Sequence, residues 1–299
     1  MENFYPVVVK KDGTIIHDIF ASSHRDLINK YLTTNEIEEK DFFVGQYCPE
    51  DGYRLDDIDN YTLLNKKIYF PDWFTGVVRE KVMTELKAII AAMIIKGRKK
   101  LLLHEGVILN RMTRVEEAKH CIVFAMYDES RIEIIDDTTV VKIMTDDAFI
   151  GKMKDGSKVE EMTGFAKVKE MQDYSKVMKM LGRTKIGEMR DNSRIGVLKG
   201  DSNVMEMRDE AQADRLKHLS RVDEMHDHTV IEEMWEWTVV EKMFDYARIN
   251  FMDEDSKVLE MFGDSMIDQM FGNAVVERLY ENSLVRKLHD AAQILSKEL

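Results

Sequence analysis

The sequence predicts a mainly β protein: a parallel β-solenoid of nonapeptide repeats, about two per coil, preceded by a small N-terminal α+β domain. Val or Ile occupies 19 of 20 positions at nine-residue spacing from Val123 to Ile294, and Ala213 is the exception. Ser, Thr or Ala precedes almost every one of these positions by two residues, and Met or another aliphatic residue usually follows by three. Asp or Gly commonly follows two residues later, so the repeat is small-x-(Val/Ile)-x-x-Met-x-(Asp/Gly)-x.

A period of nine excludes both a continuous helix and a continuous strand. Nine residues make roughly two and a half helical turns, so successive Val positions would point in opposite directions. Side chains of a strand alternate with period two, so an odd period would move the Val column to the other face in each repeat. The chain must therefore bend once per repeat, with a short strand around Val or Ile and a turn at the Asp or Gly position.

The size of the periodic side chains sets the number of repeats in each coil. One nonapeptide leaves no interior, and three would open an interior that Ser, Ala and Val fill poorly. Two repeats give two sheets about 10 Å apart, which suits these small residues. Twenty repeats then form about ten coils with a length of roughly 48 Å at ~4.8 Å per coil. We assign residues 99–299 to this solenoid.

Residues 1–98 lack the repeat and contain all three prolines, Pro6, Pro49 and Pro71. We interpret them as an α+β cap domain, because the end coil of a solenoid exposes strand edges that need protection. The expected elements are a hairpin of Tyr5 to Lys10 and Thr14 to Phe20, a helix from Ser23 to Leu32, a strand from Asp41 to Cys48, and a helix from Val77 to Ile95 that stops at Gly97.

Composition narrows the class of protein. The chain has 43 Lys and Arg against 56 Asp and Glu, a net charge of −13, and residues 121–299 alone carry a net charge of −12. Phosphate contacts need clustered basic residues, so direct nucleic-acid binding is not expected. The two cysteines, Cys48 and Cys121, favour a reducing compartment, and we expect a cytoplasmic protein. The longest apolar run, Ala88 to Ile95, is too short to span a membrane, and the N-terminus is not typical of a secretory signal.

One segment and the repeat together carry a resemblance to known proteins. The segment Pro71-Asp72-Trp73-Phe74, the helix after it and the small-x-Val-x-x-Met array resemble a group of uncharacterised bacterial and bacteriophage nonapeptide-repeat proteins. The resemblance covers most of the chain. It implies a β-solenoid and a microbial or phage source, with the host-cell cytoplasm as location for a phage protein, and it implies no chemistry.

Aromatic side chains on the outside of the late repeats predict a partner-binding or self-association surface. Its residues are Trp235, Trp237, Phe244, Tyr246, Phe262, Phe271 and Tyr280. An aromatic ladder that only stiffens the turns is the alternative interpretation. The acidic repeats likewise allow two interpretations, nucleic-acid mimicry or a solvated face of interleaved charges, and the interleaving favours the second.

No motif for catalysis, a cofactor or a metal is found, and we predict none of these sites. The histidines His218, His226 and His228 are interpreted as exposed turn residues, since no Cys or third close His completes a metal site. A kink or bulge is expected near Ala213. A calcium-binding nonapeptide roll is excluded because the turns lack paired glycines.

Three functional hypotheses follow. The first is a non-enzymatic interaction or scaffold protein that presents its acidic, partly aromatic solenoid to a protein partner. The second is a phage-type inhibitor that acts by nucleic-acid mimicry or by binding a host protein. The third is an enzyme with a small N-terminal site around Asp56–Asp59, His17, His24 or His104. A deep cleft that gathers histidines and carboxylates would favour the enzyme.

Overall fold

The computed structural model describes residues 5–21, 23–32, 41–65 and 70–298. The protein is mainly β, with 52% of residues in strands and 11% in helices. The chain divides into two compact units, residues 1–95 with 105–108, and residues 96–104 with 109–299. Among the described residues, no helix is both long and apolar enough to cross a membrane.

The first unit contains an antiparallel sheet of four strands and two helices among the described residues. The strand order is β2-β1-β3-β4, and Val8, Leu27 and Leu32 form a buried cluster beside it. Its strands are β1 (Pro6–Lys10), β2 (Ile15–His17), β3 (Phe42–Pro49) and β4 (Tyr61–Asn65), and its helices are α1 (His24–Tyr31) and α2 (Gly76–Met93). A single 3-10 turn, Ile58–Asn60, precedes β4.

The predicted hairpin and the predicted start of α1 are confirmed. β1 and β2 pair antiparallel, with Gly13 in the turn at a φ of 87°. Ser23 caps α1, because its Oγ accepts a hydrogen bond of 3.2 Å from the backbone N–H of Asp26. The prediction for α2 was two residues too long at its C-terminus, since Ile94–Ile95 forms a strand.

The solenoid consists of 24 strands that alternate between two parallel sheets of twelve. The odd-numbered sheet contains β5 (Ile94–Ile95), β7 (Gly106–Leu109), β9 (Ile122–Met126), β11 (Val140–Met144), β13 (Lys158–Met162), β15 (Lys176–Met180), β17 (Arg194–Gly200), β19 (Gln212–His218), β21 (Val230–Met234), β23 (Arg248–Met252), β25 (Met266–Met270) and β27 (Leu284–Leu288). The even-numbered sheet contains β6 (Arg98–Leu103), β8 (Arg114–Lys119), β10 (Arg131–Asp136), β12 (Phe149–Met153), β14 (Lys167–Met171), β16 (Lys185–Met189), β18 (Asn203–Met207), β20 (Arg221–Met225), β22 (Val239–Met243), β24 (Lys257–Met261), β26 (Val275–Tyr280) and β28 (Gln293–Glu298).

Strand pairing gives each regular coil two strands and 18 residues, as predicted. Val141 pairs with Val159 in one sheet and Ile132 with Ile150 in the other, each 18 residues apart. The number of turns is about 11, one more than expected. The first coils are shorter, because Val115 pairs with Lys99 and with Ile132, at offsets of 16 and 17 residues. These irregular offsets hide the repeat from a search at fixed spacing.

The periodic columns form the solenoid core. From Val123 to Val276 the Val, Ile and Met columns are buried, and the Ser, Thr and Ala column is buried between them. The expected kink near Ala213 is wrong. Ala213 pairs with Ile195 on one side and Ile231 on the other, at the regular 18-residue offset. Shortening one side chain in the column removes apolar volume but leaves the length and turns of the coil unchanged.

Candidate functional site

The seven predicted surface aromatics lie on two edges of the solenoid. Trp235, Trp237 and Phe271 lie in turns that follow odd-numbered strands, here called the odd-turn edge. The other four, Phe244, Tyr246, Phe262 and Tyr280, lie at the turns that follow even-numbered strands, here called the even-turn edge. Because strands alternate between two facing sheets, the two sets of turns lie at opposite edges of the coil. A single flat binding surface therefore does not contain all seven residues.

The even-turn edge carries a continuous stack of rings. His226, Phe244, Phe262 and Tyr280 follow one another at centroid distances of 4.7, 5.1 and 4.6 Å, with interplanar angles of 7°, 11° and 2°. Each ring face is covered by the next ring, so mainly the ring edges face solvent. Stacked aromatic pairs add about 0.5–1.5 kcal/mol beyond area burial. This arrangement supports the stiffening interpretation for this stack.

The odd-turn edge carries a second stack that includes a ring the sequence analysis missed. Phe251 lies between Trp235 and Phe271, with centroid distances of 5.2 and 5.0 Å, and His289 stacks on Phe271 at 4.3 Å. The turn column has Asp253 at this level, which predicted an interruption. Phe251 belongs to the strand before that turn, so its outward position two residues upstream was the available signal.

Two of the predicted aromatics are strongly exposed, namely Trp237 at 61% and Tyr246 at 58%. The Tyr246 ring stacks on His228 at 5.1 Å. Within the described parts of the chain, no ring or cation stacks on the Trp237 indole. Leu219, 60% exposed, occupies the same turn position one coil earlier. We call these two residues the Leu219–Trp237 patch; sequence analysis missed Leu219 because only aromatic residues were followed along this column.

Acidic side chains flank this patch along the same edge. Asp201 occupies the equivalent turn position one coil before Leu219, and Asp255 occupies it one coil after Trp237. Glu236, beside Trp237, forms an ion pair with His218. The odd-turn edge therefore presents two large apolar side chains between carboxylates.

The outer face of the even-numbered sheet carries an ion-pair ladder. Glu170, Glu188, Glu206 and Glu224 pair in register on consecutive strands. Cations from the adjacent turns lie between them: Arg190 is 2.7 Å from Glu188, Arg208 contacts Glu188 at 3.5 Å and also pairs with Glu206, and Lys242 is 3.7 Å from Glu224. This interleaving agrees with the solvated-face interpretation of the acidic repeats.

The interpretation of all three clustered histidines as exposed turn residues is wrong for His226. Its side chain is only 18% exposed, and its Nε2 lies 3.5 Å from Glu206 and 3.3 Å from Glu224. Glu206 comes from the preceding coil. Spacing along the chain cannot show this neighbour, because the contact depends on coil stacking.

The residues proposed for an N-terminal enzyme site each have a separate partner. Asp56 pairs with Arg54 at 2.9 Å, and Asp59 pairs with Lys87. Their polar groups are thus engaged in surface ion pairs rather than aimed at a common point.

The three histidines of that hypothesis are also dispersed. His17 Nδ1 is 2.7 Å from the Tyr5 hydroxyl, His24 Nε2 is 2.6 Å from the Gly45 carbonyl oxygen, and His104, in the other unit, stacks on His120 at 5.1 Å. Burial lowers the pKa of His17 despite the opposing charge of Asp18. These contacts fit structural roles.

A cleft of about 550 Å³ lies in the first unit beside Cys48. Its lining includes the carboxylates Glu50 and Asp51 and the phenol of Tyr53, but no histidine. Burial raises the pKa of the Cys48 thiol, and the charge of Asp51 adds to this effect. A raised pKa leaves less of the reactive thiolate, so the cleft lacks an activated nucleophile and a histidine base.

Comparison with protein-family models, with curated proteins and with solved structures found no match to this chain. The microbial or phage source implied by the sequence resemblance therefore stays a prediction. The functional argument depends on the geometry of the chain itself.

Proposed function

We propose that this protein is a non-enzymatic interaction protein whose β-solenoid binds a protein partner through the Leu219–Trp237 patch. The observation that carries the proposal is the exposed, unstacked indole of Trp237 next to an equally exposed Leu219. Neighbouring large apolar side chains in water are typical of an interaction site, and Trp is enriched among residues that dominate binding energy.

The surroundings of the patch favour a partner with a basic rim and an apolar pocket. Asp201 and Asp255 flank the patch in the same turn column, and residues 121–299 have a net charge of −12. Complementary charge around a buried anchor steers association and excludes unsuitable partners. The stacked rings of Phe244, Phe262, Phe271 and Tyr280 hold the edges rigid in this proposal, which lowers the ordering cost of binding.

Nucleic-acid mimicry is the weaker alternative on charge density. A net charge of −12 along ~48 Å of coils is about one charge per 4 Å, whereas B-form DNA carries about one per 1.7 Å. The carboxylates of the even-numbered sheet are also paired with Arg and Lys. A phage-type inhibitor that binds a host protein through the same patch is compatible with the proposal.

The test compares two equally exposed aromatic residues on opposite edges. A partner captured with the intact protein is purified, and its affinity is measured for Trp237→Ala and for Tyr246→Ala. We expect Trp237→Ala to weaken binding by at least about 30-fold, the usual loss at a dominant interface residue, and Tyr246→Ala to bind like wild type. Equal affinity of the Trp237→Ala variant and wild type would show that the patch is not the binding site.

A further inference from the structure

We propose that Glu206, Glu224 and His226 form a binding site for a divalent transition metal, with Zn²⁺ as the preferred ion. The site lies beside the even-turn edge and is independent of the Leu219–Trp237 patch. Its three ligand atoms, one imidazole nitrogen and two carboxylate oxygens, lie within 4.8 Å of one another.

The distances match those of a metal's coordination shell. His226 Nε2 lies 3.5 Å from Glu206 Oε1 and 3.3 Å from Glu224 Oε2. Ligands bound to Zn²⁺ at about 2.0–2.1 Å in a tetrahedron are separated by about 3.4 Å. The two measured separations already equal an edge of such a tetrahedron, so the side chains need little movement to take up the ion.

The backbone holds the ligands in this arrangement. Glu206 and Glu224 pair in register between β18 and β20, which places the two carboxylates one coil apart on the same face. The backbone N–H of His226 donates to the Met207 carbonyl at 2.9 Å, and the Phe244 ring lies parallel to the imidazole at 4.7 Å. A fixed ring loses little freedom on metal binding, which favours affinity.

The donor set indicates the kind of ion. One imidazole and two carboxylates suit Zn²⁺ or Co²⁺, with water in the remaining position, whereas Mg²⁺ and Ca²⁺ prefer oxygen ligands alone. Partial exposure of Glu206 at 26% and Glu224 at 39% leaves room for that water. The site therefore selects by ligand chemistry rather than by charge alone.

Two cations compete with a metal for these carboxylates. Arg208 pairs with Glu206, and Lys242 lies 3.7 Å from Glu224. Arg208 also lies 3.5 Å from Glu188, so it has a second carboxylate to move to when a metal takes Glu206. Because the guanidinium and the metal compete for one carboxylate, removal of Arg208 is expected to tighten metal binding.

The experiment titrates the full chain with Zn²⁺ by calorimetry and with Co²⁺ by visible absorption. We expect one saturable site, at least tenfold weaker binding in His226→Gln and in Glu224→Gln, and unchanged binding in His228→Gln. His228 is the matched control, since it lies two residues away and stacks on Tyr246. Arg208→Gln should bind Zn²⁺ more tightly than wild type.

The opposite results would overturn the site. These are no stoichiometric Zn²⁺ uptake by the folded protein, equal affinity of His226→Gln and wild type, an equal loss in His228→Gln, or Mg²⁺ binding as tight as Zn²⁺. Circular dichroism of each variant separates a lost ligand from a lost fold, and Glu224→Gln keeps the side-chain shape while removing the carboxylate. Failure of the metal site would leave the proposed protein-binding patch unaffected.

Discussion

At the scale of single residues, the turn position of the repeat explains why Asp is so common there. Asp173, Asp191 and Asp209 have positive φ angles of 55°, 54° and 57°, a conformation that Asp tolerates better than most residues with a side chain. Each Oδ2 also accepts a hydrogen bond from the backbone N–H of the residue one coil earlier, at 3.1 Å for Asp173 to Asp191 and 3.2 Å for Asp191 to Asp209. The side chain therefore links consecutive coils.

Substitutions at Asp191 separate these two contributions. Asp191→Ala loses the hydrogen bond and keeps the unfavourable φ, so the free energy of unfolding should fall by about 1–3 kcal/mol. Asp191→Gly relieves the backbone strain and should lose less, while Asp191→Asn keeps an acceptor oxygen and should lose least. Urea denaturation of the three variants measures the order, and an Asn variant as unstable as the Ala variant would contradict the hydrogen-bond role.

At the scale of elements, the glycines within strands mark close approaches between neighbouring coils. A Cβ atom on Gly187 of β16 would lie 2.5 Å from the carbonyl oxygen of Lys169 in the paired strand β14. That oxygen belongs to the backbone and cannot rotate away. We expect Gly187→Ala to lower the melting temperature, because the pairing of the two strands must distort.

A turn glycine supplies the matched control for this prediction. A Cβ on Gly156 would have its nearest neighbour, the Asp137 carbonyl oxygen, at 3.6 Å, an ordinary contact distance. Gly156→Ala should therefore leave the melting temperature within a few degrees of wild type, and calorimetry of both variants makes the comparison. Equal melting temperatures of the two variants would contradict the steric explanation.

The elements also show what sequence periodicity predicts and what it misses. The Val, Met and Asp columns predicted the strands, turns and two-repeat coils from residue 121 onward, because each column has one fixed environment in the coil. The strand β4 was missed, since Tyr61-Thr62-Leu63 follows an acidic loop and has no distinctive turn signal. His226 and Phe251 were assigned incompletely because their neighbours come from adjacent coils and depend on side-chain packing.

At the scale of the whole molecule, the two units are expected to respond differently to alkaline pH. Tyr47 and Tyr5 are buried in the first unit, and burial raises the pKa of both phenols, that of Tyr47 to about 12. An unfolded phenol ionises near pH 10. A raised pKa in the folded state means that the stabilisation is complete below pH 10 and is lost as the pH rises from 10 to 12.

A fluorescence experiment assigns this loss to the first unit. Trp73 is the only tryptophan in residues 1–95, so a variant with Trp235→Phe and Trp237→Phe reports that unit alone. Its urea midpoint should fall steeply between pH 10 and 12, and adding Tyr47→Phe should make the fall shallower because one ionising phenol is removed. The same pH slope with and without Tyr47 would show that its ionisation does not control the stability of the unit.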